Sequence, residues 1–247
     1  MDPISWRVEH FDHIDSTNTW LAEKARSGAP EGTVAYADYQ SAGRGRLDRT
    51  WEAAPGSSLL CSILLVAPLD ADELQLAVAC VALGARAALV RLSGVRPDLK
   101  WPNDLMVGDK KLAGLLAEVV TTAKGIAVVV GIGINLTASA SSDARATNIV
   151  AEAGVTLWPR ALLDILLEEV EQRRRMLEET DGKDRLRHEY ERSLVTLGQT
   201  VRVQTHDDAV VGEAIGVDPS GRLVVLADGT KQVFDVGDVV RVRPEGL

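Results

Sequence analysis

Q-S-A-G-R-G-R-L-D-R-T-W, residues 40–51, sets two glycines, three arginines and a tryptophan directly after a stretch that reads as a β-strand. Gly43 and Gly45 let the backbone take positive φ and come close to a ligand. Arg44, Arg46 and Arg49 place permanently charged, fork-shaped cations beside the N–H groups so exposed. A loop of this content suits an anion, phosphate or carboxylate, and is either a lid that orders over a ligand or a solvated surface turn. Just before it, residues 33–40 alternate and carry Val34, Tyr36 and Tyr39, which predicts a strand delivering Gln40 to the mouth of the loop. Just after it, residues 58–66 form a nearly continuous apolar strand suited to the centre of a sheet.

Upstream, H-I-D-S-T-N-T-W-L-A-E-K-A-R-S-G-A-P (13–30) reads as a turn feeding a helix, with Leu21 and Ala25 stacked at i, i+4 and Gly28 and Pro30 as the stop. The D-S-T-N segment is a helix cap in its simplest reading, and its Ser16 and Thr17 hydroxyls can alternatively face a ligand. Downstream, an Ala-rich helix is expected over 71–92, introduced by Pro68 and Asp70, with Leu74, Val78, Val81 and Ala85 on one face. In L-K-W-P-N-D-L-M-V (99–107), Pro102 interrupts an extended segment and concentrates Lys100, Asn103 and Asp104 at one place. A hairpin turn at Gly108 and Asp109 then leads to a strand with Lys111 near its start. Lysines beside a carboxylate are equally a solvated strand end or a site.

The strand at 126–130 ends in G-I-G-I-N-L, which lacks the third glycine, at Leu136, and the immediate helix that a dinucleotide fold requires. Residues 137–148 are small and polar, a loop by composition. An amphipathic helix follows over 159–178, with Leu162, Ile165, Leu166 and Val170 inward and the charges of 168–175 as its wet face, then a second helix over 182–193. From Leu197 the period becomes two. Five short strands separated by Asp207–Asp208, Pro219–Gly221, Asp228–Gly229 and Gly237–Asp238 predict a small β-barrel or sandwich. The boundary at 196–199 gives two units, 1–197 and 198–247.

A chain of 247 residues with 46 % hydrophobic composition supports a proper core, and a net charge of −9 argues against a general nucleic-acid coat. Cys61 and Cys80 both sit in apolar runs, which points to buried reduced thiols and a cytosolic setting. The N-terminus has no apolar signal core, and the sequence shows no run of about twenty apolar residues, so a soluble protein is expected.

D-S-T-N, Q-S-A-G-R-G-R-L-D-R-T-W, K-W-P-N-D-L, K-L-A-G and G-I-G-I-N-L, in this order and spacing, resemble the biotin protein ligase family. The resemblance covers nearly the whole chain. It implies an α/β (α+β) fold, a mixed β-sheet flanked by helices of the class II synthetase-like kind, followed by a small SH3-like β-barrel. It implies an ATP-dependent ligase using biotin, ATP and Mg²⁺, which forms biotinyl-5′-AMP and passes the biotinyl group to a lysine of a biotin carboxyl carrier protein. By resemblance, Ser16, Thr17, Gln40, Gly43, Arg44, Arg46 and Lys111 would bind biotin. Arg46, Arg49, Trp51, Asn103, Lys111 and Asn135 would serve the nucleotide. Lys111, Lys100, Arg46 and Asp104 would be catalytic, with Asp104 also the candidate Mg²⁺ ligand and general base.

The residue types fit the chemistry: a carboxylate attacking a polyphosphate brings two anions together, so cations must screen the approach. The mixed anhydride hydrolyses readily, which gives a water-excluding loop its reason to exist. Trp51 either clamps that loop by stacking or anchors it in the core.

Three features depart from the family. Asp48 stands where its pattern has glycine, residues 137–148 offer no aromatic partner for adenine, and about fourteen residues precede D-S-T-N, too few for a helix-turn-helix. A monofunctional enzyme without nucleic-acid or membrane partners, monomeric or weakly dimeric and cytoplasmic, is expected. A non-catalytic biotin or adenylate sensor and a lipoyl or octanoyl carrier-protein ligase are the other readings.

Overall fold

The computed structural model describes residues 4–47, 49–66, 69–70, 73–123, 125–138, 144–205, 209–235 and 237–242. In chain order the first elements are β1 (Arg7–Phe11), α1 (Thr17–Arg26), β2 (Thr33–Ala37), β3 (Ser58–Leu65), α2 (Leu74–Ser93), β4 (Asp98–Lys100), β5 (Asp104–Val107), β6 (Lys110–Thr122) and β7 (Gly125–Asn135). Then come α3 (Ile149–Ala153), α4 (Pro159–Met176), α5 (Gly182–Glu191), β8 (Thr200–Gln204), β9 (Ala209–Val217), β10 (Leu223–Ala227), β11 (Thr230–Phe234) and β12 (Asp238–Arg241).

The first seven strands form one mixed sheet in the order β1-β2-β3-β7-β6-β5-β4, in which only β1 and β2 run parallel. All eight residues of β3 are buried, because helices cover both of its faces. On one face α1 packs Leu21, Ala22 and Ala25 onto Ala35, Leu64, Val120, Ala127 and Val129. On the other lie α2 and α4, with the larger apolar cluster between them and the sheet. Side chains alternate across a strand, so β3 needs apolar residues at every position to satisfy both layers.

The helix α2 is long and apolar enough, by length and composition alone, to cross a membrane. The sequence still holds no uninterrupted run of about twenty apolar residues, since Gln75, Arg86 and Arg91 break this one. The helix is a core element: 67 % of that stretch is buried inside the protein.

The last five strands form an antiparallel sheet in the order β11-β10-β9-β8-β12. Among the described residues β11 and β12 do not pair, so this sheet is open rather than a closed barrel. It is joined closely to the first sheet. Trp101, 1 % exposed, donates its N–H to Thr196 Oγ1 at 2.9 Å and its Nε1–H to the Gly221 carbonyl at 3.3 Å. The large apolar cluster continues through Val201, Val203, Leu223 and Val225 without a break.

Two elements were not expected. β1 lies at the sheet edge with the mostly exposed pattern that carries no strand signal. α3 is a five-residue helix whose Asn148 side chain accepts the Ala151 N–H at 3.0 Å. Pro68, Asp48 and Asp207–Asp208 lie outside the described residues.

Candidate active site

On the α1 face of the sheet, β6 and β7 run out beyond the N-terminus of the helix. Under α1 they present Val120, Ala127 and Val129. Past it, the residues of the same parity are Gly114, Gly131, Gly133 and Asn135, which floor a cavity of about 440 Å³. The glycines are there for clearance. A Cβ on Gly131 would lie 2.1 Å from Asn18 Oδ1, and one on Gly133 would lie 2.4 Å from Trp51 Cε2, distances no real Cβ tolerates. G-I-G-I-N thus accommodates two side chains that lie flat on the strand, which is why it resembles a nucleotide fingerprint without the helix that would make it one.

One wall is the start of α1. Ser16 is its N-cap, accepting from the Thr19 N–H. Gln40 Oε1 accepts from the Thr17 N–H at 2.7 Å and from its hydroxyl at 2.9 Å. The Thr17 and Ser62 hydroxyls are 2.7 Å apart, Ser62 Oγ donates to Asn18 Oδ1 at 2.6 Å, and Asn18 Nδ2 donates to Glu118 Oε2 at 2.8 Å. Glu118 in turn pairs with Arg44. This chain of bonds fixes every polar group along the wall, and a buried network is rigid when each member has a partner. Cys61 adds a neutral surface, its thiol pushed by burial up to about 12.

The arginine loop closes the cavity. Its start is laced to the turn before α1, with Ser41 N–H donating to the Ile14 carbonyl at 3.0 Å and Ala42 N–H to that of Asp15 at 2.9 Å. Trp51 N–H returns to the Gly43 carbonyl at 2.9 Å and Gly45 N–H to that of Arg49 at 2.7 Å. Neither Gly43 nor Gly45 takes positive φ, contrary to expectation; among the described residues of the loop it is Leu47 that is left-handed, at φ 54°. Gly43 is required instead by close approach, since a Cβ there would stand 2.6 Å from the Trp51 carbonyl oxygen. Arg46 Nη1 donates to Asn103 Oδ1 and to the Gly237 carbonyl, both at 3.3 Å. Burial lowers the pKa of Arg46, while Asp104 and Asp238 favour its charged form. Arg49 meets Asp238 at 2.5 Å.

The third wall is the hairpin of β4 and β5. Asn103 is fixed to β6 by its Nδ2, 2.7 Å from the Leu115 carbonyl, and by its own carbonyl, which accepts the Leu115 N–H at 2.8 Å. A register shift opposite Leu105 and Met106 leaves Lys111 facing Met106 and Ala113 facing Leu105, a bulge of the kind that re-aims side chains. Lys111 Nζ lies 2.6 Å from Asp104 Oδ1 and 5.7 Å from the centre of the Trp51 ring. Asp104 Oδ1 is thus engaged by the Lys111 ammonium, whereas buried Asn135 Oδ1 and Trp51 Nε1 have no hydrogen-bond partner. Asn135 Nδ2 is anchored at 3.0 Å to the Thr147 carbonyl. Buried polar atoms are rarely left without a partner, so Asn135 Oδ1 and Trp51 Nε1 are available to a ligand.

Of the residues singled out from the sequence, Ser16, Thr17, Gln40, Arg44, Arg46, Arg49, Trp51, Asn103, Asp104, Lys111 and Asn135 all line this one cavity. Gly43 does not line it, but packs against the Trp51 carbonyl and the Gln40 side chain, which belong to residues that do. Lys100 does not line it; it sits across the hairpin, in register with Asp104. Asn18 and Asp238 line the cavity as well and Glu118 braces its wall; in the sequence Asn18 reads only as a cap former and Asp238 only as a turn residue. Elsewhere, ligand atoms of His10, Asp12 and Asp38 come within 4.8 Å of one another at the sheet edge, outside the cavity.

The sequence model of the Biotin/lipoate A/B protein ligase family matches residues 10–135, from before D-S-T-N to the end of G-I-G-I-N. The chain belongs to this family. The model of the Biotin protein ligase C terminal domain matches residues 196–242, covering the second sheet. Among relatives in the ligase family, the biotin–[acetyl-CoA-carboxylase] ligase of Mycobacterium tuberculosis is 35 % identical over 96 % of this chain and 90 % of its own. The enzyme of the same name from Paracoccus denitrificans is 30 % identical over 91 % and 96 %. The structure is similar to that of the biotin protein ligase from Aquifex aeolicus in complex with biotin and ATP, with a TM-score of 0.82 at 26 % identity, over 96 % of this chain and 99 % of that one.

Proposed function

We propose that the cavity joins biotin to AMP and hands the biotinyl group to a lysine of a biotin carboxyl carrier domain, with the lining residues in the roles given below. The protein is an ATP-dependent biotin ligase. The observation carrying the residue roles is the convergence of Arg46, Arg49 and Lys111 with Asn103, Asp104 and Asn135 on one cavity of about 440 Å³, a volume in the range of small-molecule sites.

In the first step a biotin carboxylate oxygen bonds to the α-phosphorus of ATP, the bond to the β-phosphate oxygen breaks, and pyrophosphate leaves. Both partners are anions, so Lys111 and Arg46 stabilise the charge gathered between them. Ser16, Thr17 and Gln40 hold the far side of the biotin pocket, together with the backbone at Gly43 and Arg44. Asn103, Asn135, Arg49 and Trp51 face the nucleotide. The Asp104 carboxylate, paired with Lys111, and Asn135 Oδ1, which has no partner, are hard oxygen donors of the kind that suits Mg²⁺. An ion held there would supply further screening of phosphate charge.

In the second step the carrier amine bonds to the biotinyl carbonyl carbon, the bond to the AMP oxygen breaks, and AMP departs with the electron pair. Asp104 is the carboxylate placed to take the amine proton. The loop of Arg44, Arg46 and Arg49 excludes water from the anhydride between the steps. We place the protein in the cytoplasm, in keeping with Cys61 and Cys80, both free and buried.

The test is direct. The protein is incubated with ATP, Mg²⁺, biotin and a biotin carboxyl carrier domain, and the carrier is examined by mass spectrometry. A biotinyl adduct on a single lysine, dependent on ATP, is expected; an unmodified carrier with tightly bound biotin would identify a sensor instead.

A further inference from the structure

The turn that carries Asn103 and Asp104 is held from behind by two residues outside the cavity. Gln75, in the first turn of α2, is 8 % exposed and is followed by an apolar run that lasts to Ala85. Its Nε2 donates to the Pro102 carbonyl at 2.7 Å and to the Tyr190 hydroxyl at 2.8 Å. Tyr190, in α5 and 1 % exposed, closes the triangle by donating its O–H to the same carbonyl at 3.4 Å. The second sheet packs on this point too, the Gly221 turn lying against the Gln75 side chain while taking the Trp101 indole N–H. Burying an amide and a phenol in a core is unfavourable unless each is bonded. Here two of the three bonds end on one carbonyl.

We propose that Gln75 and Tyr190 are positioning residues for the ligase reaction: by fixing the Pro102 carbonyl they set where Asn103 and Asp104 stand in the cavity. The Pro102 carbonyl belongs to the peptide unit that ends at the Asn103 Cα, so turning that plane swings the Asn103 side chain away from Arg46 and Leu115. Asp104, one residue further, moves with it relative to Lys111. Displacements of about 1 Å in a site of this kind lower rates by roughly a hundredfold. The far side of the biotin pocket is held separately: Ser16 caps α1, Thr17 bonds to Gln40 and to Ser62 of β3, and among the described residues these bonds do not reach this turn, although Arg46 and Lys111 at the near side do.

The inference rests on the nucleotide role proposed for Asn103, and the experiment separates the two. Gln75→Met keeps the volume and removes the donor; Tyr190→Phe removes only the hydroxyl and serves if the first variant folds poorly. Val78→Ala, in the same helix and core, supplies a purely structural loss of stability. Measured on the full chain are the KM values for ATP and biotin, kcat, and hydrogen exchange at the Leu115 amide, which reports the Asn103 carbonyl directly. The expected result is a KM for ATP raised about tenfold, a KM for biotin within about twofold, and faster exchange at Leu115 than along the rest of β6. Unchanged Leu115 exchange, or the same pattern in Val78→Ala, overturns the proposal. Faster Leu115 exchange with an unmoved KM for ATP supports the positioning and overturns the nucleotide role of Asn103.

Discussion

Lys111 Nζ stands 2.6 Å from Asp104 Oδ1, so the cation that would screen the reacting anions is held by a carboxylate of the neighbouring strand. The bulge that turns Lys111 toward Asp104 also brings it beneath Trp51, and a partly buried pair of this kind is pre-aimed before any substrate arrives. Lys111→Ala removes the screening and leaves Asp104 to repel the incoming phosphates. Adenylate formation, followed by pyrophosphate release, should fall about a hundredfold or more, equivalent to roughly 3 kcal/mol. Far-ultraviolet circular dichroism should be unchanged, and undiminished pyrophosphate release would contradict the role.

Gly131→Ala and Gly133→Ala should separate folding from catalysis. At Gly131 the added carbon meets Asn18, a member of the bonded wall, so the variant should lose about 1–3 kcal/mol in urea unfolding. At Gly133 it meets the Trp51 indole, which can lift toward the cavity. That variant should unfold almost normally yet bind ATP more weakly, with a shifted tryptophan emission. Equal destabilisation of both would refute the distinction.

Arg46→Gly deletes the bonds from the loop to Asn103 and to the Gly237 carbonyl. The adenylate should then dissociate faster and label lysines of bystander proteins. Trapping by a filter assay measures the release rate, and an unaltered residence time would count against the loop as a seal.

Alkaline pH should destabilise the protein through its buried thiols. An ordinary cysteine loses its proton near 9, whereas burial pushes Cys61 and Cys80 up to about 12. Between these values the unfolded chain binds fewer protons than the folded one, so stability is complete below pH 9 and falls as pH rises. The slope is up to about 1.4 kcal/mol per pH unit for each thiol. Tyr190, whose pKa burial also raises above its ordinary 10, steepens the fall at higher pH. Urea titrations from pH 8 to 10.5 should show the decline, and Cys80→Ala should make it shallower.

The elements with strong local signals were legible from the chain: the buried strand β3, the long helices α2 and α4, the hairpin interrupted by Pro102 and the five short strands after Leu197. The arginine loop announced itself through residues that no core element would collect. What could not be read were relations between distant segments. Gly131 and Gly133 are explained only when Asn18 and Trp51 arrive on top of them. The positive φ of the loop fell on Leu47 rather than on a glycine, because the turn is set by its bonds to Gly43 and Arg49. Asp238 reaches the loop from nearly two hundred residues away, and its Gly237–Asp238 pair reads only as a turn between strands. β1 escaped notice because an edge strand with mostly exposed side chains has no period to detect.

The apolar cluster that runs unbroken from α2 to Val225 bears on how the molecule comes apart. With Trp101 bridged to the Gly221 turn, melting the last fifty residues would strip the lining from the hairpin beside the cavity. Heating should therefore yield a single calorimetric transition, and a chain cut after residue 197 should be a poorly packed, inactive fragment rather than a slower enzyme.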